Sequence, residues 1–420
     1  MLFYLKLAAR NLTRNLLRTI IAIAAIAAVV MIVVFGRGLM QGFNESTFNL
    51  YIDNQMGHLR LTEAEYPQRE PLLSLDYTVQ DTDRIALDEM IDKLGQEPEV
   101  KKVLPRLRFG AMASRDDELI RMLGVGYDPH KEEEAGILTA EIIEGELPKA
   151  GNEILLGSGL LENLEAKPGD NITLVFSDSF QSIQGRTFEI AGVRETNSPE
   201  IDDNFFYLPL ETSQEMLALE NEVTEIMLFG EQAEKSHQLE ERVLTLLEDW
   251  EVGEAYTLTR WQQADPFMEL FLEVDTAMNI IYVFFILLGA VVVVTTLFMI
   301  IRERKTEIGM MTALGLKGKE IMAIFTLEGA LIGLLGSFLG VLFGGFLNYY
   351  IAQRGIAAEA FTGLVEGIDF MVEPVFYTVY DLENLLISFL LGVIITSLAC
   401  LYPALSASRL NPVKALQKDA

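Results

Sequence analysis

Four long stretches of the chain contain no Asp, Glu, Lys or Arg. They cover residues 19–36, 276–301, 329–353 and 384–408, in runs of 18, 26, 25 and 25 residues. A helix needs roughly 20 mainly apolar residues to cross the hydrocarbon core of a bilayer. The pattern therefore predicts four transmembrane helices, with a long polar segment between the first and the second.

The segment between the first two stretches mixes two hydrophobic periods. Runs with the two-residue period of a strand take turns with runs of helical period. The predicted strands are 57–62, 100–107, 119–126, 153–156, 171–177, 186–193, 205–208, 223–229 and 255–258, and the predicted helices are 83–94, 158–164, 212–219 and 234–247. We expect the second strand to end at Pro105 and Gly110. The pattern predicts an α+β domain in two subdomains, one discontinuous and one inserted and β-rich.

Charge is segregated along the chain in the same way. The net charge is −29 and the mean hydropathy is +0.27, two values that seldom occur together. Residues 41–276 hold 50 acids and 18 bases (−32), and the rest holds 11 acids and 14 bases (+3). A nucleic-acid binder would need a basic surface, so this class is excluded, as are a soluble enzyme and a disordered chain.

The basic residues also predict the orientation. Lys and Arg near the ends of spans stay in the cytoplasm. They dominate residues 1–18, 302–320 and 409–420, whereas the loop 354–383 carries one base and six acids. We therefore expect both termini in the cytoplasm, and the acidic domain and the loop 354–383 outside it.

The predicted fold is α-helical with four transmembrane helices, plus a large α+β extracytoplasmic domain inserted between the first and the second. The predicted segments are a cytoplasmic amphipathic helix 1–18, a span 19–40, the domain 41–275, a span 276–301, a cytoplasmic loop 302–320, a span 321–353, an outer loop 354–383, a span 384–408 and a cytoplasmic tail 409–420.

The sequence shows no catalytic constellation. His58, His130 and His237 are scattered without metal-ligand spacing, and there is no Gly-x-x-x-x-Gly-Lys-Ser/Thr phosphate loop. Cys400 lies within the fourth stretch and is expected to be a packing residue. We predict no catalytic residue, no metal site and no cofactor bound by this chain.

The loop 302–320 combines charges with an apolar patch. Membrane anchoring explains Arg302, Arg304 and Lys305, but not the apolar residues of 308–314. An exposed loop has no reason to display them unless a partner covers them. We expect a short docking helix bracketed by Gly309 and Gly315.

These residues also carry a family resemblance. The segment Glu307-Ile308-Gly309-x-x-x-Ala313-Leu314-Gly315 resembles the E-I-G-x-x-x-A-L-G signature of the FtsX-like ABC transporter permeases, the group that contains MacB, FtsX and the LolC/LolE lipoprotein-releasing subunits. The tail at 402–416 is similar to the family's P-A-x-x-A-x-R-x-x-P-V-x-A-L ending. The segments 145–148 and 152–157 resemble its G-R-x-P and E-V-V-L-G motifs. The order of one span, a large domain and three spans is also the family's.

The resemblance implies partners and a mechanism. Two copies of a cytoplasmic ABC ATPase would bind the inner loop, and ATP and Mg would be held by that ATPase. A second permease subunit, identical or different, would complete the complex in the bacterial inner membrane, with membrane lipids around it and a periplasmic carrier or adaptor as a further possible partner. The implied ATPase-coupling residues are Arg304, Glu307, Ile308, Gly309, Met310, Ala313, Leu314 and Gly315.

Two segments point to the lipoprotein-releasing branch. Residues 40–45 resemble the M-N-G-F-E that follows the first span in LolC/LolE, and 57–61 resemble the G-H-x-x-I strand of related permeases. Gly42 alternatively ends the first helix. The loop 177–186 lacks the proline-bearing hook by which LolC captures its carrier. Release of a lipoprotein or another amphiphile is the leading hypothesis; the alternatives are MacB-like export of peptides or drugs and FtsX-like control of a cell-wall hydrolase.

Three further features carry expectations within the membrane. The Arg10, Arg14 and Arg18 stripe is expected mainly to bind lipid headgroups, with contact to the ATPase as the alternative, and Glu328 is expected to pair with Lys319 or Arg18. The glycine stripe 329–344 fits packing within one subunit and a subunit interface equally well.

Acyl chains of a lipid-anchored substrate would need an apolar cavity. The candidates lie at the outer ends of the first two spans, opposite one another across a dimer interface, and simple contact with lipid is the alternative. The candidate cavity residues are Phe35, Leu39, Met278, Ile281 and Phe285.

Overall fold

The computed structural model describes residues 2–14, 16–115, 118–149, 151–196, 198–264, 266–357 and 375–409. They form two compact units. The membrane unit contains the described residues up to 45 and from 271 onward, and the inserted domain contains those of 46–270. Most of the outer loop 354–383 and nearly all of the tail 409–420 lie outside the described residues.

The helices are named here in chain order. They are α1 Leu2–Arg14, α2 Leu16–Tyr51, α3 Tyr66–Arg69, α4 Leu87–Gly95, α5 Pro129–Ala135, α6 Ile137–Ala140, α7 Ser158–Asn163, α8 Pro199–Asp202, α9 Leu210–Leu217, α10 Ser236–Asp249, α11 Pro266–Glu303, α12 Lys305–Ala313, α13 Gly318–Arg354, α14 Leu382–Ala399 and α15 Leu401–Ser408. A π-helical turn, Ile52–Met56, directly follows α2.

The strands are β1 Leu59–Glu63, β2 Lys102–Arg115, β3 Glu118–Tyr127, β4 Ile142–Gly145, β5 Glu153–Gly157, β6 Asn171–Ser177, β7 Ile183–Arg194, β8 Phe205–Pro209, β9 Glu225–Phe229, β10 Tyr256–Arg260, β11 Ile356–Ala357 and β12 Val375–Phe376. The first ten belong to the inserted domain, and the last two form a small hairpin of the membrane unit.

Four helical segments of the membrane unit are long and apolar enough to cross a bilayer. They are Leu16–Met56, Ala277–Glu303, Gly318–Arg354 and Leu382–Ser408, the last of which comprises α14 and α15. The predicted fold class, four transmembrane helices with a large mixed domain after the first, is therefore confirmed.

Glycines of α13 allow close packing inside the membrane unit. A Cβ at Gly340 would lie 2.6 Å from the Cβ of Val30, and one at Gly336 would lie 2.7 Å from that of Ile26. A Cβ at Gly333 would lie 2.9 Å from that of Thr396, on α14. The stripe thus brings α13 close to both the first and the fourth span of the same chain. Of the two alternatives, the structure shows the packing within one subunit.

The first helix continues well beyond the predicted span. The reading of Gly42 as its end is wrong, because α2 runs on to Tyr51 before the π-helical turn begins. Gly42 instead allows the backbone carbonyl of Tyr377 to approach so closely that a side chain would collide with it. At about 1.5 Å per residue, a helix of 36 residues is far longer than the roughly 30 Å hydrocarbon core.

One ten-stranded sheet forms the inserted domain. Its order is β10-β1-β9-β2-β3-β8-β5-β7-β4, and β6 pairs with both β2 and β7. The pairing of β6 closes a ring through β2, β3, β8, β5 and β7, so this part of the sheet is a six-stranded barrel. The strands β10, β1 and β9 extend from the barrel as an open sheet. These two parts correspond to the two predicted subdomains, although they share a single sheet.

The strand β2 joins the two parts, and its predicted end is wrong. It passes through Pro105 and Gly110 and reaches Arg115. At Pro105, β2 pairs with β9 only, because its pairing with β3 begins at Arg106. A proline lacks the N–H that a second neighbour would need, so it fits at a position with one neighbour.

Each part has its own hydrophobic core. Helices α4 and α10 bury Leu94 and Val243 against Leu61 and Leu228 of the open sheet. The barrel encloses a second cluster around Phe109 and other apolar side chains that face inward. Residues of β2 contribute to both clusters, so the domain holds together without a disulfide.

Candidate functional site

The inner loop folds as a helix that is fixed at both ends. The backbone turns at Arg304, between α11 and α12, and the N–H of Ile308 donates to the Arg304 carbonyl at 2.9 Å. At the other end Gly315 has a φ of +99°, which favours glycine, and its N–H donates to the carbonyl of Thr312 at 3.0 Å. The expectation that two glycines bracket the helix is correct for Gly315 and wrong for Gly309, which lies in the middle of α12.

One face of α12 is covered by the chain itself. Ile308 is fully buried and packs with Ile301 of α11, Phe325 of α13 and Ala404 of α15. Gly309 is buried as well. The apolar character of these two residues therefore has an explanation within the chain, which the sequence alone did not reveal.

The opposite face of α12 remains exposed and partly apolar. Met310 is 48% exposed and Leu314 is 83% exposed. Thr306 and Ala313 lie on the same side and are exposed too. The spacing 306, 310, 313 and 314 gives a single helical stripe. Since the buried face holds the helix in place, this stripe is the surface on which a partner could dock.

The ends of α1 and α2 that meet near residue 15 reach the same loop through ion pairs. Arg14 pairs with Glu307, and Arg18 pairs with Glu303. Arg14 and Arg18 therefore have partners within the chain that the expectation of lipid-headgroup binding did not include. The two acids lie four residues apart, as the two arginines do, so this matching spacing is a sequence signal for the two ion pairs.

Behind these pairs lies a buried polar chain. Arg304 donates through Nε to Glu307 at 2.9 Å and through Nη2 to the side-chain oxygen of Asn11, also at 2.9 Å. The Asn11 amide donates in turn to Glu328 at 3.4 Å. The expected pairing of Glu328 with Lys319 or Arg18 is wrong, because Asn11 is the residue within reach. We call this set, Asn11, Arg14, Arg18, Glu303, Arg304, Glu307 and Glu328, the inner network.

The inner network keeps Glu307 ionised. The hydrogen bond that Arg14 donates to Glu307 is the main cause of the lowered pKa of Glu307. Arg304 lowers this pKa further, while partial burial opposes the shift. Glu307 is thus a fixed negative charge at neutral pH. Because both its partners belong to the same chain, its principal contacts are made before any partner protein binds.

The candidate cavity residues lie on two helices of the membrane unit. Phe35 and Leu39 are half-buried on α2, and Met278 is half-buried on α11. Ile281 and Phe285 are exposed, at 42% and 40%. The residues 278, 281 and 285 share one stripe of α11. The two Val residues before Phe35 are buried; Val34 packs against Gly344 of α13 and therefore does not line this stripe.

Together these features define a class of protein. The chain is a multi-pass membrane protein that carries a large mixed α/β domain after its first span and a short, internally fixed helix after its second. Residues 279–412 match the family model described as FtsX-like permease C-terminal, and residues 17–246 match the MacB-like periplasmic core domain. The chain belongs to this family: it is an ABC transporter permease of the FtsX/MacB/LolC type.

Individual relatives agree with the family. The lipoprotein-releasing system transmembrane protein LolC of Xylella fastidiosa (strain 9a5c) is 24% identical over 349 residues, which is 77% of this chain and 79% of that protein. The macrolide export ATP-binding/permease protein MacB of Campylobacter jejuni (serotype O:2) is 28% identical over 243 residues, 55% of this chain and 34% of that protein. The crystal structure of the periplasmic region of MacB from Actinobacillus actinomycetemcomitans matches 50% of this chain and 92% of that one, with 12% identity and a TM-score of 0.36, and adds nothing to the assignment.

Proposed function

We propose that this chain is the membrane subunit through which a separate cytoplasmic ATPase moves the inserted domain. The observation that carries the proposal is the exposed stripe of α12 around Met310 and Leu314, on a helix whose other face is buried in the membrane unit. A partner that pushes on this stripe would move α11 and α13 with it, since Ile308 packs between them. The domain would respond through the spans.

The contact with the ATPase is tested by introducing a negative charge into the exposed stripe of α12. Met310→Asp and Leu314→Asp place a carboxylate where an apolar partner surface would be, without disturbing the buried face. We expect both variants to insert normally and to copurify with much less of the ATPase encoded by a neighbouring gene. Leu72→Asp, at a 71%-exposed leucine of the inserted domain, is the matched control. Wild-type copurification of both variants would contradict the site.

The orientation is tested by cysteine labelling. Cys400 is buried and is the only native cysteine, so a Cys400→Ala background leaves a single introduced thiol. A cysteine at Phe180, which is 77% exposed, should react with an impermeant maleimide in spheroplasts. One at Lys317 should react only after lysis. The reverse pattern would place the termini outside the cell.

The substrate proposed is a lipoprotein or another amphiphile of the outer leaflet. Support comes from the relatives with lipoprotein-releasing names and from the apolar stripe at 278, 281 and 285. A photo-reactive phenylalanine analogue at Phe35 or Phe285 should capture lipoprotein, whereas the same analogue at Phe338, which is 55% exposed on α13, should capture only lipid. Capture of phospholipid alone at all three positions would favour MacB-like export, to which the MacB relatives also point.

A further inference from the structure

The helix α2 ends in an unusual turn. The five residues Ile52–Met56 are π-helical, and Gly57 ends the turn with a φ of +64° and an N–H that donates to the Ile52 carbonyl at 2.7 Å. Single π-helical turns are rare in proteins, and those that occur often lie at functional sites. A turn of this kind departs from the regular α-helical hydrogen bonding, so its carbonyl groups need other donors.

One arginine of the sheet donates to these carbonyl groups, and a second donates to a side chain of the turn. Arg108 on β2 donates through Nη2 to the carbonyl oxygen of Gln55 at 2.7 Å, and the Asn54 carbonyl lies 3.5 Å from the same nitrogen. Arg194 on β7 donates to the side-chain oxygen of Asn54. The Asn54 amide in turn donates to the Leu50 carbonyl, in the last turn of α2, at 2.9 Å. The turn is therefore bonded on one side to α2 and on the other to two strands.

Both arginines are held in place by acids, one of them fully buried and the other partly buried. Arg108 forms an ion pair with Glu225, 2.7 Å between Nε and Oε1, and Glu225 is fully buried. Arg194 is also fully buried; it pairs with Glu141 and donates to the Tyr207 hydroxyl. A buried guanidinium that lost its acceptors would keep unpaired donors, which is costly. These side chains therefore have little freedom to follow the turn if it moves alone.

The two strands reach both parts of the inserted domain. The strand β2 pairs with β9 of the open sheet and with β3 and β6 of the barrel, and β7 belongs to the barrel. The π-helical turn is thus bonded, through Arg108 and Arg194, to two strands of the barrel, of which β2 also pairs with β9 of the open sheet. We call Asn54, Arg108 and Arg194 the π-turn site.

We propose that the π-turn site is the joint that transmits movement of the first span to the inserted domain, with Arg108 and Arg194 as positioning residues. This inference rests on the proposed function and specifies where its movement passes into the domain. With the joint intact, a displacement of α2 shifts β2 and β7 together. Without it, α2 moves while the sheet stays behind.

A matched variant separates this role from mere stability. Arg106 is also on β2, is also buried and pairs with the buried Glu132, but its ion pair does not involve the π-helical turn. Arg106→Met and Arg194→Met each remove one buried guanidinium from the same sheet. A purely structural role would make the two variants behave alike.

The experiment is hydrogen exchange on the full permease with its ATPase in lipid nanodiscs, with and without ATP and vanadate. In the wild type we expect vanadate trapping to change exchange in peptides of β2 and β7. In Arg108→Met, Arg194→Met and Asn54→Ala we expect exchange of the 48–58 peptide to rise about tenfold or more, and the vanadate-dependent change in the sheet to be lost while ATP hydrolysis continues. Arg106→Met should keep the vanadate response.

Two results would overturn the inference. A wild-type vanadate response in the Arg108 and Arg194 variants would show that movement passes into the domain elsewhere. Equal loss of the response in Arg106→Met would reduce the site to a stabilising cluster. Failure of the proposed function is distinguishable, because in that case the wild type itself would show no vanadate response in the sheet.

Discussion

The two ends of the helix α2 are held by ionic contacts of opposite character. At its start, the inner network pairs Arg18 with Glu303, at side chains that are 34% and 47% exposed. Past its end, the π-turn site uses Arg194, whose side chain is 1% exposed, and its partner Glu141 is 28% exposed. One helix is thus attached to a solvent-exposed loop at one end and to the interior of a sheet at the other.

This difference assigns different roles to the two ends. Exposed ion pairs gain little, because water and salt screen them, and they can be exchanged for other contacts at small cost. Breaking a buried pair leaves an uncompensated charge and costs several times more. We infer that the inner network can rearrange when a partner docks on α12, whereas the π-turn site remains fixed.

The largest effect is expected at the buried end. Arg194→Leu leaves the Glu141 carboxylate, the Tyr207 hydroxyl and the Asn54 side chain without their common donor. We expect the inserted domain to lose about 3–5 kcal/mol of stability, seen as a much lower midpoint of thermal unfolding for the purified protein. The double variant Arg194→Leu/Glu141→Leu should recover part of the loss. A midpoint equal to that of the wild type would show that the buried pair is not held as described.

A smaller effect is expected between the two ends, where α2 packs on α13. Gly340→Leu forces a side chain into the 2.6 Å gap between the Gly340 Cβ position and the Cβ of Val30. Overpacking of this kind costs about 1–3 kcal/mol. The midpoint of thermal aggregation in detergent should fall, whereas Leu342→Phe, at an exposed position of the same helix, should not lower it. Equal midpoints for both variants would argue against close contact of the two spans.

A lower pH should reduce the loss of stability that Arg194→Leu causes. Burial raises the pKa of Glu141, with Asp53 and Asp202 adding to the rise, and Arg194 is the group that opposes it. Because the folded-state pKa is raised, folding favours the protonated acid, and stability is lost as the pH rises through the folded pKa. Without Arg194 that pKa rises further. The defect of Arg194→Leu should therefore be about 1 kcal/mol smaller at pH 5 than at pH 8, a difference that unfolding midpoints at the two pH values would resolve. An equal defect at both would mean that Glu141 is not the orphaned charge.

The smallest effect on stability is expected at the exposed end. Arg14→Ala removes a pair that solvent screens, so the unfolding midpoint should not change measurably at 150 mM salt. The pKa of Glu307 should move up toward its ordinary value, because the hydrogen bond from Arg14 is the main cause of its lowering. A large drop in the midpoint would make the inner network a structural element comparable to the π-turn site.

The contrast between the two ends also shows what the sequence could predict. Long uncharged runs predicted the four spans, since only length and polarity matter there, and local periods predicted most strands. The π-turn site escaped prediction because it joins Asn54 to Arg108 and Arg194, which are far apart in the sequence and meet only when the sheet closes. The barrel escaped for the same reason, since the pairing of β6 with β2 is not local.

The candidate site was predictable in part. The motif around Glu307 identified the right loop, but it could not tell which side chains of α12 face the protein. Ile308 and Met310 look equally apolar in the sequence, yet the first is buried and the second is half exposed. Only the packing of α11, α13 and α15 around Ile308 decides between them.

The most direct test of the account is photo-crosslinking from α12. A photo-reactive phenylalanine analogue at Leu314, which is 83% exposed, should capture the ABC ATPase in membranes, and the same analogue at Ile308, which is fully buried, should capture only other parts of this chain. We expect an ATPase adduct from position 314, and Leu72→Asp in the inserted domain should leave this adduct unchanged. Capture of the ATPase from the inserted domain, and none from position 314, would contradict the central claim that this helix receives the force of ATP hydrolysis.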